Sequence, residues 1–239
     1  MKESQEIKNL FLAAGVLFLA LLVFYVLIKL PGYIKRKTME KAAASEVAVT
    51  IPEGLNAGQI GEILERAGLF PQSEFIKAAE KEEGFLFPDT YRFYKTSEPE
   101  QVAARMRENF DKKITPEILA EINPPAGGQN KTLLDVIIMA SLLEEEVQST
   151  EDRKLVAGIL WKRLKLGMGL QVDSAPDTYR YRGLPPGPIS NPGMDAILAA
   201  VYPEPSLYLY YLSGKDGKTH YAKTLDEHAL NKYKYLKKN

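Results

Sequence analysis

The sequence predicts an α+β protein in which an N-terminal single transmembrane helix precedes a body of mixed helices and short strands. Leu10 to Ile28 contain no charged residue, and about 19 helical residues span roughly 28 Å, close to the hydrocarbon thickness of a bilayer. In the rest of the chain, short β-branched stretches alternate with segments of helical periodicity, and turn residues separate them. We therefore expect a short tail at 1–9, a transmembrane helix at 10–30, a linker at 31–45 and a folded body from 46 onward.

A cleavable secretory signal peptide is the alternative interpretation of the N-terminal segment. The apolar region of such a peptide is usually about 7–15 residues long, and a cleavage site of small residues follows it closely. Here Lys29 and Pro31 follow the apolar run, and the small residues at 42–45 lie far downstream. The length and the flanks therefore favour an uncleaved anchor. Because the downstream flank is the more basic one, the positive-inside rule alone would place the body in the cytoplasm.

Charge and composition exclude several classes of function. The 239 residues include 31 basic and 31 acidic side chains. Residues 1–37 hold six basic and two acidic residues, a net charge of +4, so the remaining chain carries −4. A mildly acidic body does not favour nucleic acid as a partner. With no cysteine and only His220 and His228, we expect no disulfide, no metal site and no cofactor.

The first part of the body reads as a strand followed by two helices. Val47–Ile51 alternates and is β-branched, which is typical of a strand. Asn56 with Gln59 three residues later matches a capping box, and Gly68 marks the end of the helix that follows. Ser73–Ala79 predicts a second short helix.

An aromatic segment and two further helices come next. Pro88 interrupts Glu83–Tyr94, so this segment is expected to form an edge strand or a bulged turn. Ser97 with Glu100 is predicted to cap a helix whose buried stripe contains Val102, Met106 and Phe110. A short helix from Thr115 to Ile122 and a loop over Asn123–Lys131 follow.

The second half of the body contains the most apolar helix of the body. Leu133–Leu143 is apolar nearly all round, so we expect it to be buried. An amphipathic helix is predicted to start at Ser149 and to stop at Gly167. A Pro/Gly-rich stretch at Gly183–Gly193, a short helix near Asp195–Val201 and a hairpin of Leu207–Leu212 with a return strand through Tyr221 complete the chain.

Glu144 is the strongest candidate for chemistry from the residues themselves. It follows the apolar helix and shares a face with Ile137 and Ala140 at helical spacing. A carboxylate against such a surface loses hydration, so its pKa is expected to rise toward the range of a general acid. A solvated acidic helix end is the commoner explanation of three consecutive glutamates. Glu145 and Glu146 point elsewhere by about 100° per residue, so at most one of the three is expected to face a cleft.

Gln171 and Asp173 alternate, and in an extended segment both side chains would lie on one side. Amide and carboxylate groups there suit hydrogen bonding to a sugar, although an Asx-type turn before Pro176 explains the pattern equally well. A lone histidine such as His220 is more often structural or solvent-facing than catalytic. The tyrosines could stack on sugar rings, although most are expected to be core and rim residues; they are Tyr91, Tyr179, Tyr181, Tyr208, Tyr210 and Tyr211.

Six motifs, in this order, resemble the YceG-like (MltG-type) endolytic murein transglycosylases. They are IPEGLNAGQIGEILERAGLF (Ile51–Phe70), EGFLFPDTYRF (Glu83–Phe93), MASLLEEEV (Met139–Val147), RLKLGMGLQVDS (Arg163–Ser174), GLPPGPISNPG (Gly183–Gly193) and KTHYAKTLDEH (Lys218–His228). The resemblance covers nearly the whole body.

The resemblance implies a LysM-like subdomain at 46–80 and a catalytic domain at 81–239. It also implies a single-pass protein of the bacterial inner membrane whose body lies outside the cytoplasm. That orientation is opposite to the one that the flanking charges favour.

The resemblance implies specific site residues as well. The catalytic glutamate of the family is taken as the first acid after the run Ala140–Leu143, which places it at Glu144. The motifs place substrate-binding side chains at Glu83, Tyr91, Gln171, Asp173, Asn191 and His220. The chain departs from the family pattern at Lys162, at Ser174 and at Ala229.

The implied activity is endolytic cleavage of peptidoglycan by a lytic transglycosylase. One glutamate would act as general acid and then as base on the β-1,4 bond between N-acetylmuramic acid and N-acetylglucosamine, giving 1,6-anhydromuramyl ends and limiting the length of new strands. The expected partners are glycan strands, the bilayer and peptidoglycan synthases. The alternatives are a muramidase-type hydrolase using Glu144 with Asp173 or Glu83, and a membrane-anchored wall-binding scaffold without catalysis.

Overall fold

The structure is a computed structural model of the chain. It describes residues 15, 18, 24–25, 27–33, 37, 45–122, 131–147 and 149–236. Among these residues, no helix combines the length and apolar character that a membrane span requires. Most of the predicted span at 10–30 lies outside the described residues, as does most of the predicted linker, so both stay predictions.

The chain divides into two compact units, Met1–Val47 and Ala48–Asn239. In the first unit, residues 27–33 are helical. The body is built from four strands and eight α-helices among the described residues. Its first half contains β1 (Glu46–Thr50), α1 (Ala57–Arg66), α2 (Gln72–Ala78), β2 (Thr90–Tyr94), α3 (Pro99–Lys113) and α4 (Pro116–Ile122). Its second half contains α5 (Leu133–Glu146), α6 (Thr150–Lys165), a 3₁₀ turn (Pro176–Tyr179), α7 (Met194–Val201), β3 (Tyr210–Ser213), β4 (Thr219–Ala222) and α8 (Leu225–Leu236).

The start of one helix was predicted correctly and that of another was wrong. At α1, Asn56 and Gln59 form the expected capping box. At α3, the capping residue is Glu98 and not Ser97. Pro99 occupies the first helical position, where a missing N–H is tolerated, so the cap falls on the residue immediately before it.

The strand β1 pairs with β2 in a two-stranded sheet. The Thr50 and Thr90 hydroxyls lie 2.9 Å apart at this pairing, and the Ile51 N–H donates to the Asp89 carbonyl at 2.9 Å. The partner of β1 therefore lies beyond residue 80. The boundary predicted between 80 and 81 falls between two strands of the same sheet.

Helix α5 lies at the centre of the core, as its sequence predicted. Val136 to Leu143 are all buried, and α5 packs against α6 and α7. Its one polar residue in that stretch, Ser141, donates to the Ile138 carbonyl at 2.8 Å and accepts from the Ile189 N–H at 3.1 Å. The buried Ser141 hydroxyl therefore has hydrogen-bond partners. Three consecutive glutamates form the C-terminal end of α5.

The predicted hairpin is confirmed as β3 and β4, which pair antiparallel with Leu212 opposite His220. Tyr221 on β4 donates a hydrogen bond to Asp152 on α6 at 2.5 Å, and Thr219 donates to the same carboxylate at 2.9 Å. Helix α8 packs on both strands of the hairpin. These contacts hold the hairpin and α8 beside the C-terminal end of α5.

Candidate active site

An open cleft of about 550 Å³ is formed where α5 ends. Side chains from α6, the 3₁₀ turn, β3 and α8 complete its walls. The polar and aromatic groups that matter most for chemistry are Glu146, Arg163, Asp173, Tyr179, Tyr211 and His228. A cleft of this volume is large enough for sugar rings.

Glu146, the last residue of α5, presents its carboxylate to this cleft. One oxygen accepts the Ser174 N–H at 2.7 Å, and the other lies 3.4 Å from the Tyr211 hydroxyl. Burial raises the pKa of Tyr211 well above its usual value, and the charge of Glu146 raises it further. Tyr211 therefore stays protonated and can donate to Glu146.

Glu144 does not line the cleft. One of its oxygens accepts from Arg153 at 2.7 Å and the other accepts the Gly193 N–H at 2.8 Å. Only 7% of its side chain is exposed. Glu144 and Glu146 differ by about 200° around the helix, so only one of them faces the cleft. Besides the apolar helix face that the sequence predicts for it, the Glu144 carboxylate thus contacts a guanidinium and a backbone N–H.

A second carboxyl group lies close to Glu144. Burial raises the pKa of Glu53, and the nearby charge of Glu144 raises it further, while Arg153 acts in the opposite sense. The Glu53 carboxyl packs against Gly193, where a Cβ would lie only 2.0 Å from the carboxyl carbon. Glu144 therefore belongs to a packed charged cluster at the start of α7.

Gln171 and Asp173 both line the cleft. Gln171 has a φ of 51°, in the left-handed region, so the expected extended segment is wrong at this residue. Its side-chain oxygen accepts from Arg163 at 2.7 Å. Asp173 accepts from the Tyr179 hydroxyl at 2.6 Å, and this hydrogen bond raises the pKa of Tyr179 to about 12.

Asn191 and Glu83 lie elsewhere and hold the fold together. Asn191 is 1% exposed; its amide nitrogen donates to the Leu55 carbonyl at 2.9 Å and to Glu83 at 2.6 Å. Its side-chain oxygen accepts the Leu86 N–H at 2.8 Å. Glu83 also accepts the Ala57 N–H at the start of α1, and burial raises the pKa of Glu83. Their predicted role in substrate binding stays a prediction.

Tyr91 and His220 also lie apart from the cleft. Tyr91 is 6% exposed and donates to the Phe87 carbonyl at 2.5 Å. His220 stacks on Tyr235, and its Nε2 lies 3.0 Å from Asp216 in the hairpin turn. Both residues therefore make local structural contacts.

Arg163 and His228 line the cleft as well, although their sequence positions were not predicted to be cleft residues. Arg163 is 4% exposed and lies on the face of α6 that meets the cleft. His228 lies on α8 with Lys232 one turn later, and this spacing places both on one helix face. The sequence spacing therefore predicts that His228 and Lys232 share a helix face, but it does not predict that α8 lies beside the end of α5.

The comparisons with known proteins agree with this fold. The model of the YceG-like family matches residues 32–177 and 176–234. A Bacillus subtilis endolytic murein transglycosylase is 32% identical over 179 residues, which are 64% of this chain and 48% of that protein. A Streptococcus pneumoniae endolytic murein transglycosylase is 30% identical over 177 residues, 62% of this chain and 31% of that protein. The matched regions thus span less than half the length of these relatives.

A crystal structure of a yceG-like protein from Listeria monocytogenes has the same mixed α+β fold. It superposes with a TM-score of 0.70 at 28% identity and covers 77% of this chain and 75% of that chain. The family match extends through α5, α6 and α8, the helices that form the cleft. This chain belongs to the YceG-like family.

Proposed function

We propose that this chain is a peptidoglycan lytic transglycosylase in which Glu146 is the general acid and then the base. One observation carries the proposal: the Glu146 carboxylate lines the open cleft, whereas the Glu144 carboxylate lies outside that cleft and pairs with Arg153. The two relatives named as endolytic murein transglycosylases support the same class of reaction.

The proposed reaction uses a single carboxyl group. Protonated Glu146 donates its proton to the glycosidic oxygen between N-acetylmuramic acid and N-acetylglucosamine, and the bond from that oxygen to C1 breaks. The Glu146 carboxylate then removes the proton of the muramyl C6 hydroxyl, whose oxygen bonds to C1 and closes a 1,6-anhydro ring. The proton is back on Glu146 at the end, and no water is consumed.

The hydrogen bonds around Glu146 suit this role. The Ser174 N–H and the Tyr211 hydroxyl hold one carboxyl oxygen each. Both donors also stabilise the carboxylate that exists between the two proton transfers. The aromatic rings of Tyr179 and Tyr210 on the cleft walls offer stacking surfaces for sugars.

The cellular role follows from the relatives and from the N-terminal sequence. We propose that a helix at 10–30 anchors the protein in the bacterial inner membrane with its body outside the cytoplasm. An anchored enzyme that cuts within strands would limit the length of nascent glycan, and peptidoglycan synthases would be its partners. The LysM-like subdomain proposed at 46–80 would contribute to glycan binding.

The direct test is mass spectrometry of fragments that the purified full chain releases from peptidoglycan. We expect products one water lighter than hydrolytic products, which Glu146→Gln does not release. Glu144→Gln is the critical comparison, and Glu145→Gln, which is exposed, is the matched control. We expect both of these variants to release anhydro products when folded. Loss of activity in folded Glu144→Gln with full activity in Glu146→Gln would return the catalytic role to Glu144.

A muramidase-type hydrolase is the second candidate, because Glu146 and Asp173 line the same cleft. Two carboxylates flanking the bond would activate water and give reducing muramyl ends. Under the single-acid mechanism, Asp173→Asn changes the rate and leaves the products anhydro. Reducing ends in the wild type that disappear in Asp173→Asn would establish the hydrolase. Glycan binding without any cleavage would instead support a scaffold.

A further inference from the structure

We propose that Arg163, with His228 and Lys232, forms a subsite for a carboxylate of the substrate at the wall of the cleft. This inference rests on the proposed function, because it names the part of a peptidoglycan strand that the same cleft recognises. Two sources offer this group: the stem peptide, or the lactyl group of a muramyl residue that carries no peptide.

Among the described residues, no counter-charge lies within ion-pair distance of the buried Arg163. Only 4% of the residue is exposed, and its Nε has no hydrogen-bond partner in that part of the chain. Its recorded side-chain bond goes to the neutral amide oxygen of Gln171. None of the ion pairs in the described part of the chain involves Arg163. A buried guanidinium normally pairs with a carboxylate or phosphate. The Arg163 guanidinium is therefore suited to bind an anionic group of a ligand.

The two acidic residues of the cleft, Glu146 and Asp173, accept hydrogen bonds from other donors. Asp173 accepts from Tyr179, and Glu146 accepts from the Ser174 N–H. The Arg163 guanidinium instead lies 5.6 Å from the centre of the Tyr210 ring, which supports it on one side. Arg163 is thus held in place by neutral groups and is available to a ligand.

Further donors lie on the same wall of the cleft. Within the described ranges, the buried Nδ1 of His228 has no hydrogen-bond partner. Burial lowers the pKa of His228, and the nearby positive charges of Lys232 and Arg163 lower it further. Lys232 is exposed at the same wall. A carboxylate bound here would receive a forked contact from Arg163 and a second donor from α8.

The test measures binding by isothermal titration to the full chain. The ligand is a GlcNAc–MurNAc disaccharide, which lacks the bond that the proposed reaction cleaves, so binding is observed without turnover. It is prepared with a stem dipeptide bearing free carboxylates, with those carboxylates converted to methylamides, without peptide but with a free lactyl carboxylate, and with that carboxylate amidated. We expect amidation to weaken binding about tenfold or more for one of the two pairs. The pair that responds identifies the source of the carboxylate.

Variants test whether Arg163 causes the preference for charged over amidated ligands. Arg163→Gln is expected to bind charged and amidated ligands equally, whereas Arg105→Gln, an exposed arginine on α3, keeps the difference. Lys232→Gln tests the same wall from an exposed position if Arg163→Gln does not fold, and we expect it to reduce the difference. Equal affinity of the wild type for charged and amidated ligands would overturn the inference. So would a preference that survives in Arg163→Gln or, where that variant does not fold, a preference that Lys232→Gln leaves undiminished.

The two proposals fail separately. Cleavage of peptidoglycan by a wild type that shows no carboxylate preference would refute this subsite and leave the proposed function intact. A carboxylate preference in a protein that releases no fragments would support this subsite and refute the proposed function.

Discussion

Arg153 on α6 donates a 2.7 Å hydrogen bond to Glu144 on α5, with only 10% and 7% of the two side chains exposed. The Nε of Arg153 also donates to the Val147 carbonyl at 2.8 Å, immediately after α5 ends. This pair joins the end of α5 to the following helix. It therefore fixes the backbone direction from which Glu146 enters the cleft.

Arg153→Met is expected to destabilise the fold by about 3 kcal/mol or more, because it leaves the Glu144 carboxylate buried without its charged partner. Urea unfolding followed by circular dichroism measures this change. Arg105→Met serves as the control, since Arg105 is exposed and its ion pair among the described residues is with Glu108 at 3.4 Å. Similar stability losses for the two variants would show that the Arg153–Glu144 pair has no special structural role.

Asn191→Ala is expected to lower stability by about 2–4 kcal/mol, because it removes both donors and the acceptor of a buried side chain. Its partners, the Leu55 carbonyl and the Leu86 N–H, lose their hydrogen bonds. The affinity of the remaining folded protein for a GlcNAc–MurNAc disaccharide should not change. Weakened binding with unchanged stability would restore Asn191 as a substrate-binding residue.

Asp152 links stability to pH through the hairpin. Burial raises the pKa of Asp152, but hydrogen bonds from Tyr221 and Thr219 more than offset it, so its pKa lies below the usual 3.8. A lowered folded-state pKa means that the ionised group stabilises the fold above about pH 4 and that this contribution is lost as pH falls through the folded-state pKa.

Tyr221→Phe removes one of these donors and keeps the ring that stacks on Tyr208. We expect a loss of about 1 kcal/mol at neutral pH and a smaller difference from the wild type near pH 3. Thermal unfolding at neutral pH and near pH 3 measures the stability difference between the variant and the wild type at each pH. A difference that is larger near pH 3 would contradict a lowered pKa of Asp152 in the folded state.

Gly158→Ala is expected to destabilise the protein although alanine is the better helix former. A Cβ at this position in α6 would lie 1.9 Å from the Glu204 carbonyl oxygen, which is backbone and cannot rotate away. A Gly→Ala change within a helix usually raises stability by about 1 kcal/mol. Here we expect it to lower stability by about 1–3 kcal/mol. An increase in melting temperature for this variant would contradict the close approach between α6 and the segment after α7.

Much of the body could be predicted because its signals are local. The apolar run Leu133–Leu143 has no polar face to expose, so it had to be buried, and α5 is the central helix. Asn56 and Gln59 satisfy the first backbone donors of α1 within one turn, so their capping box was readable from spacing alone. Before α3, both Ser97 with Glu100 and Glu98 with Gln101 match a capping box. Glu98 is the capping residue because Pro99 occupies the first helical position.

The choice among the three glutamates needed the tertiary structure. Helical periodicity shows that Glu144 and Glu146 face different directions, but it does not show which direction meets the cleft. That depends on α6, which brings Arg153 to Glu144, and on β3 and α8, which close the cleft around Glu146. The sequence by itself determined the elements, the buried helix and the family, because these follow from patterns along one chain segment. The tertiary structure decided which carboxylate faces the cleft and which arginine lacks a partner, because both depend on contacts between residues far apart in the chain.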